Sequence, residues 1–405
     1  MNLVDAVRKW ATLAPDRTVV VDSTTDRRIT FEELLGRVIQ LSNGFASLGL
    51  AKGDRVAVLS TNSIEYFEVY YACAMSGLIA QPINWRLSAE EITRIIEDGE
   101  PSVFICQKEF LDLQNEVRAT VTSNITYLEY GPETDGSYEA LVTQASTEDL
   151  YSDIGGADPV LILYTGGTTG LSKGALHTHH SLYMGMLNQT VAERIVPNDV
   201  YMLTGQMFHI PVALAMNYIA HGCPCVLMNF DAKIALELIQ KEKVSAFLGI
   251  TTMLNWMMAV EGFENYDISS LRNIQYGGGP MPETVVKAAL KAFPCTIIQG
   301  YGQTEGMTMT FLSQEDHQYA INGERAERLN ACGREGFVTR IRVVDTAGIN
   351  VPKDSTTSGE IIVASEANMV GYWRKPELTA AIMKDGWMWT GDIATWDEDG
   401  YVFIV

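Results

Sequence analysis

The sequence predicts an α/β fold closed by a smaller β-rich module. Three observations carry that prediction. Short β-rich runs alternate with helical stretches over most of the chain. At 405 residues the chain is long enough for two or three cores. After about Arg325 the helices thin out, and short strands separated by turns take over.

In order along the chain, Thr30-Phe-Glu-Glu33 is a capping box opening a helix through Ser47, with Leu34, Leu35, Val38, Leu41 and Phe45 on roughly one face. Arg55–Ser60 reads as a buried strand. Asn62 or Ser63 then caps the helix Ile64–Met75, which Gly77 ends. Ser88-Ala-Glu-Glu91 is a second capping box, and Ser102–Cys106 the strand after it. Polar, glycine-containing Tyr130–Asp158 reads as a long connection. Strands then recur at Val160–Tyr164, Tyr201–Thr204, Cys225–Met228, Ala246–Ile250, Ile274–Tyr276 and Thr296–Gln299, mostly with helical patterns between them. Arg340–Asp345, Gly359–Ala364 and Tyr401–Val405 are the strands of the closing module.

Composition narrows the function. A formal net charge of −21 argues against nucleic acid or an anionic membrane as main partner, because phosphate backbones and headgroups need clustered Lys and Arg. The longest apolar stretch, Ala246–Val260, is interrupted by Thr251, Thr252 and Asn255 and is too short for a membrane span. Met1–Trp10 is amphipathic and lacks an apolar h-region, so a cytoplasmic protein is expected. Six cysteines in such a chain do not make a disulfide framework. His221-Gly-Cys223-Pro-Cys225 has no second Cys/His pair at zinc spacing and reads as the lead-in to a strand.

The strongest signal is Thr165-Gly166-Gly167-Thr168-Thr169-Gly170-Leu-Ser-Lys173-Gly174, which follows a strand. Glycines let backbone N–H groups turn toward an anion, threonine hydroxyls donate to phosphate oxygens, and Lys173 supplies positive charge. A Walker loop fails on spacing, since it needs Gly-Lys-Ser/Thr and here Lys173 lies between Ser172 and Gly174. Read alone, the segment has a flexible Gly/Thr surface loop as its lesser alternative.

This loop resembles the phosphate-binding signature of the adenylate-forming superfamily, with Ser172 where proline is usual. The resemblance extends over essentially the whole chain, because further motifs follow in order. Tyr276-Gly277-Gly278-Gly279-Pro280-Met281 resembles the loop lining the adenine and acyl sites. Gly300-Tyr301-Gly302-Gln303-Thr304-Glu305 resembles the motif whose aromatic stacks on adenine, whose threonine binds the α-phosphate and whose glutamate holds Mg²⁺. Gly359-Glu360 matches a short structural motif, and Trp389-Thr390-Gly391-Asp392 the motif whose aspartate accepts from the ribose hydroxyls. Singly, Tyr301 could be a core aromatic, Glu305 a solvated residue and Asp392 a turn residue; the ordered set is what carries weight.

The resemblance implies two α/β subdomains, 1–159 and 160–325, with mixed sheets flanked by helices, and a small distorted β-barrel at 326–405. It also implies ATP-dependent formation of an acyl-AMP with release of pyrophosphate, followed by transfer to CoA. Thr165, Lys173, Thr304 and Glu305 are the expected catalytic residues, and Glu305 the Mg²⁺ ligand. Thr165–Gly170, Lys173, Gly278, Gly279, Pro280, Tyr301, Gly302, Gln303, Thr304 and Asp392 are the expected nucleotide contacts.

Met207-Phe208-His209 carries histidine where amino-acid-activating relatives carry aspartate, so a substrate ammonium would lack a partner. In acyl- and aryl-CoA synthetases that histidine lines the acyl entrance, so His209 joins the catalytic set. Carried over, the acid pocket comprises His209, Val212, Gly249 to Met253, Gly277, Gly278, Gly302 and Met307. These small or apolar positions suit an uncharged tail, fatty before aryl. Loading of a carrier protein and a non-catalytic nucleotide-binding relative are the alternatives. The family also includes homodimers. Gly400-Tyr-Val-Phe-Ile-Val405 ends within a strand, whereas the family continues into a hinge and a smaller domain bearing the adenylation lysine. The expectation is therefore a truncated chain that binds ATP and acid but adenylates poorly.

Overall fold

The computed structural model describes residues 2–131, 136–149, 153–165 and 172–405. The chain divides into two compact units. One comprises Met1–His180, Gln206–Val212 and Met369–Arg374; the other comprises Ser181–Gly205, Ala213–Asn368 and Lys375–Val405.

In the first unit, seven strands form a mixed sheet in the order Gly371–Tyr372, Lys173–Thr178, Pro159–Thr165, Ile79–Ile83, Arg55–Leu59, Val103–Gln107, Thr126–Tyr130. The last five of these run parallel, and Lys173–Thr178 and Gly371–Tyr372 add antiparallel pairs at one edge. Parallel strands need crossovers, and the amphipathic helices supply them. Helices Ala89–Gly99 and Leu111–Thr120 bury Ile92, Ile95, Ile96 and Val117 against Ala57, Leu59, Phe104 and Cys106.

The Thr30 box forms as read: Thr30 Oγ1 accepts from the Glu33 N–H, and the Glu33 carboxylate accepts from the Thr30 N–H at 2.8 Å, starting Phe31–Ser47. Of the two candidate caps for Ile64–Ser76, Ser63 takes the role and Gly77 closes the helix in the left-handed region at φ 70°. That helix is buried along almost its whole length, including Glu65 and Glu68. Buried carboxylates need partners. Arg27 pairs with Glu65 at 2.5 Å, and Arg37 bridges Glu68 and Glu139. The segment read as a long connection holds a helix of its own, Ser137–Gln144, whose Tyr138 donates to Glu68 at 2.7 Å. Its polar composition conceals a one-sided apolar face.

The second unit carries a sheet ordered Arg334–Glu335, Met307–Leu312, Thr296–Gln303, Asn273–Gly277, Ala246–Leu248, Tyr201–Leu203, Cys225–Leu227. Its last five strands are parallel, and the first two pair antiparallel. The apolar run 246–260 resolves into the strand Ala246–Leu248 and the helix Thr251–Met258. Beyond it, Thr339–Val344, Gly359–Ser365, Trp387–Trp396, Met383–Lys384 and Val402–Ile404 form a curled antiparallel half-barrel sheet where the distorted β-barrel is expected. Its inner face buries Met309, Ile361, Val363, Met388, Ala394 and Val402. Among the described residues no helix is long and apolar enough to cross a membrane.

Candidate active site

In the first unit the residues flanking the expected phosphate loop lie on two paired strands. Pro159–Thr165 and Lys173–Thr178 pair antiparallel down to Thr165 opposite Lys173, so the ladder ends where the Gly/Thr loop begins. Thr165 Oγ1 lies 3.4 Å from the Lys173 carbonyl oxygen. A side chain on Gly174 would press on Ile162 and Tyr164, which is why glycine follows the lysine. Gly166, Gly167, Thr168, Thr169 and Gly170 lie outside the described residues.

The same unit holds His209 and Val212. Tyr70 donates to the Met207 carbonyl at 2.6 Å, and the Met207 N–H donates to Asn62 Oδ1 at 2.9 Å. Trp85 Nε1 donates to Gln206 Oε1 at 3.1 Å. These bonds pin the turn so that Met207 is buried and His209 exposed. Val212, at the start of Pro211–Ala220, is buried.

The second unit holds the motifs expected to contact the nucleotide. Thr296–Gln303 turns back into Met307–Leu312, with Thr304, Glu305 and Gly306 at the tip. A Cβ at Gly302 would fall on the Met307 carbonyl, so the strands approach closer than any side chain permits. Met307 itself sits at φ +58°, a left-handed conformation costing a non-glycine residue of order 1 kcal/mol or more. The turn is thus held in an unusual shape by its surroundings. Thr304 is buried and Glu305 half-buried.

Asp392 faces this hairpin. Tyr301 Oη donates to Asp392 Oδ2 at 2.6 Å, and Gln303 Nε2 donates to the same oxygen at 2.7 Å and to the Thr390 carbonyl at 2.9 Å. Burial, and then the bond to the Asp392 carboxylate, hold the Tyr301 phenol well above its usual pKa, so it remains a donor. Gly391 takes the left-handed turn at φ 80°, and its N–H donates to Glu360 Oε1 at 2.9 Å. The Gly359-Glu360 motif thus acts as a brace, its carboxylate propping the Thr390–Asp392 turn from the neighbouring strand.

The residues of this unit expected to line the acid pocket are also tied together. The Gly249 N–H donates to the Gln275 carbonyl at 2.7 Å, and Thr251 Oγ1 donates to the Pro280 carbonyl at 3.2 Å, tying 249–253 to 277–280. A Cβ at Gly277 would collide with the Gly300 carbonyl oxygen, whereas Gly278 (φ +73°) and Gly279 meet nothing within 4 Å. Met253 is half-buried and Met307 buried, the latter against Gly185.

Several supports of the site escape sequence reasoning. Asn62, a candidate cap by sequence, holds Met207 instead, and Tyr70 reads as no more than a core aromatic. Glu360 alone is signalled in sequence, by the Gly359-Glu360 motif. Two histidines and a cysteine without an expected role in the site have structural partners. His317 is buried, with Nδ1 2.7 Å from the Ser313 carbonyl and Nε2 3.0 Å from Tyr276 Oη. Near the strand Cys225–Leu227, Cys223 Sγ donates to the Val196 carbonyl at 3.3 Å, and His221 Nδ1 lies 2.8 Å from the Asn217 carbonyl.

Comparison with known proteins agrees with these motifs. The model of a family described as AMP-binding enzyme matches residues 7–373. A feruloyl-CoA synthase of Amycolatopsis is 31% identical over 98% of this chain and 76% of its own length. The long-chain-fatty-acid–CoA ligase FadD13 of Mycobacterium tuberculosis is 31% identical over 100% of this chain and 78% of its own. The inhibitor-bound crystal structure of the N-terminal domain of FACL13 from Mycobacterium tuberculosis superposes with a TM-score of 0.91 at 30% identity, covering 100% of this chain and 99% of that one. The chain belongs to the AMP-binding enzyme family.

Proposed function

We propose that this protein activates an apolar carboxylic acid with ATP and passes the acyl group to CoA. The observation that carries the reading is the cluster of Tyr301, Gln303 and Asp392 beside the turn bearing Thr304 and Glu305. A carboxylate fixed by two donors on one oxygen suits a pair of ribose hydroxyls, and the Tyr301 ring suits a base.

In the first half-reaction a carboxylate oxygen of the acid attacks the α-phosphorus of ATP, and pyrophosphate leaves. In the second the CoA sulfur attacks the acyl carbon, and AMP leaves. Alignment and charge stabilisation provide most of the catalysis in the first half. Thr165 and Lys173 at the loop root are the residues assigned to the departing phosphates, with Thr304 at the α-phosphate. Gly166 to Gly170 complete the cradle in this reading.

One half-buried carboxylate fits Mg²⁺, which is commonly bound by one or two carboxylates plus substrate phosphates. Glu305 would hold the ion, and when bound it would neutralise phosphate charge.

An apolar acid is favoured because the segments 249–253 and 277–280, tied together, present glycines and Met253 rather than a charged partner. His209 is assigned to the acyl entrance. The open space at Gly278 and Gly279 also admits a flat aromatic acid, so an aryl-CoA ligase is the second reading. Pyrophosphate release and thioester formation, followed separately across fatty, aryl and amino acids, test this. Acid-dependent AMP and pyrophosphate with fatty or aryl acids are expected. Formation of ADP and phosphate instead, or preference for free amino acids, would sink it. Replacing CoA by an acyl-carrier protein in the same assay separates the two acceptors.

A further inference from the structure

Resting on the assignment of Lys173 to the phosphates of ATP, we propose that Tyr372 is a positioning residue that holds the Lys173 ammonium in register for them. Four features of the first unit converge on it. The short strand Gly371–Tyr372 pairs antiparallel with Lys173–Thr178, placing Tyr372 opposite Ala175 and Gly371 opposite Leu176. The next residue closes the contact, since the Trp373 N–H donates to the Gly174 carbonyl at 2.7 Å. The Tyr372 side chain is buried, and the Lys173 Nζ stands 5.3 Å from the centre of its ring. Finally, Trp373 Nε1 donates to the Asp98 carbonyl at 3.2 Å while Tyr164 Oη donates to the Asp98 carboxylate at 2.8 Å, anchoring both sides of the hairpin root to one residue.

The choice of an aromatic partner has a physical reason. A lysine on a flexible stem needs something to restrict it if it is to meet a phosphate without first being ordered. A carboxylate would restrict it but would also neutralise the charge that the phosphates need. A ring face attracts the ammonium through its quadrupole and carries no formal charge. Among the described residues, the partner of the Lys173 ammonium is this ring and no carboxylate pairs with it. The strand pairing fixes the ring, and the ring fixes the cation.

The test is a double-mutant cycle read by calorimetric titration of the protein with Mg·ATP, using Tyr372→Leu, Tyr372→Phe, Lys173→Met and the double variant Tyr372→Leu/Lys173→Met. Tyr372→Leu is expected to weaken ATP binding about three- to tenfold, the range of a partly buried cation–π contact. Tyr372→Phe, which keeps the ring, should stay within about twofold of the parent. In the Lys173→Met background, Tyr372→Leu should add almost nothing. A merely structural tyrosine would instead weaken binding equally in both backgrounds, and that result, or a Phe variant as weak as the Leu variant, overturns the inference. If Lys173→Met alone leaves ATP affinity unchanged, the phosphate-loop assignment itself has failed and takes the inference with it.

Discussion

At the scale of single residues, the groups that matter are placed by neighbours far away in sequence. Asp392 is legible as a ribose partner only through its motif. That Tyr301 and Gln303 both donate to its Oδ2, and that Glu360 braces the preceding glycine, emerges only from the fold. Glu193 is not legible at all. It ends the helix His179–Glu193, is buried, and accepts from Tyr218 Oη at 2.6 Å and from Gln189 Nε2. Burial, only partly offset by these donors and by Arg272, pushes its carboxyl up to about 7. Because the folded value lies above the ordinary glutamate value of about 4.3, the stabilising contribution is complete below that pH. It is lost as pH rises through about 7. Glu193→Gln keeps the shape and removes the titration. Melting curves taken between about pH 5 and 8 should show the parent losing stability relative to the variant as pH rises. Parallel curves over that range would contradict the assignment.

At the scale of elements, capping boxes and strand runs are largely readable because their signals are local. Thr30 to Glu33 and Ser88 to Glu91 each close reciprocal bonds within four residues, and both helices form where the boxes place them. The edge strand Gly371–Tyr372 is not readable, since two residues carry no periodicity and only their partner strand defines them. Glycine roles divide in the same way. Gly302 and Gly279 look alike in sequence, but a Cβ at the first meets the Met307 backbone while one at the second meets open space. Gly302→Ala should therefore cost about 1–3 kcal/mol as an overpacked contact. Gly279→Ala should leave the melting temperature nearly unchanged, within about 0.5 kcal/mol. It should still weaken ligand binding, because its methyl enters the space assigned to nucleotide and acid. Thermal melts paired with ATP and acid titrations check both. A Gly279→Ala protein that binds normally would remove that position from the site.

At the scale of the whole molecule, alternating strands and helices followed by a β-rich stretch are enough to anticipate the α/β class and a β-rich closing module, whose barrel-like curl only the family resemblance implies. The division of the contacts is not so visible: the first unit includes Gln206–Val212 and Met369–Arg374, two short segments returning from distant parts of the chain. One of them carries His209 and the other Tyr372, so each is grouped with residues far from it in the chain. Five motifs in order identify the family, whereas the identity of the acid depends on a few lining positions. The central claim is that one site takes both adenosine and an apolar acyl group. The most direct measurement is the affinity of an N-acylsulfamoyl adenosine, a stable mimic of an acyl adenylate, compared with AMP and with the free acid. A mimic with a hydrocarbon or aryl tail should bind at least about a hundredfold tighter than AMP and compete with ATP. Binding no tighter than AMP, or simultaneous with ATP, would contradict the account.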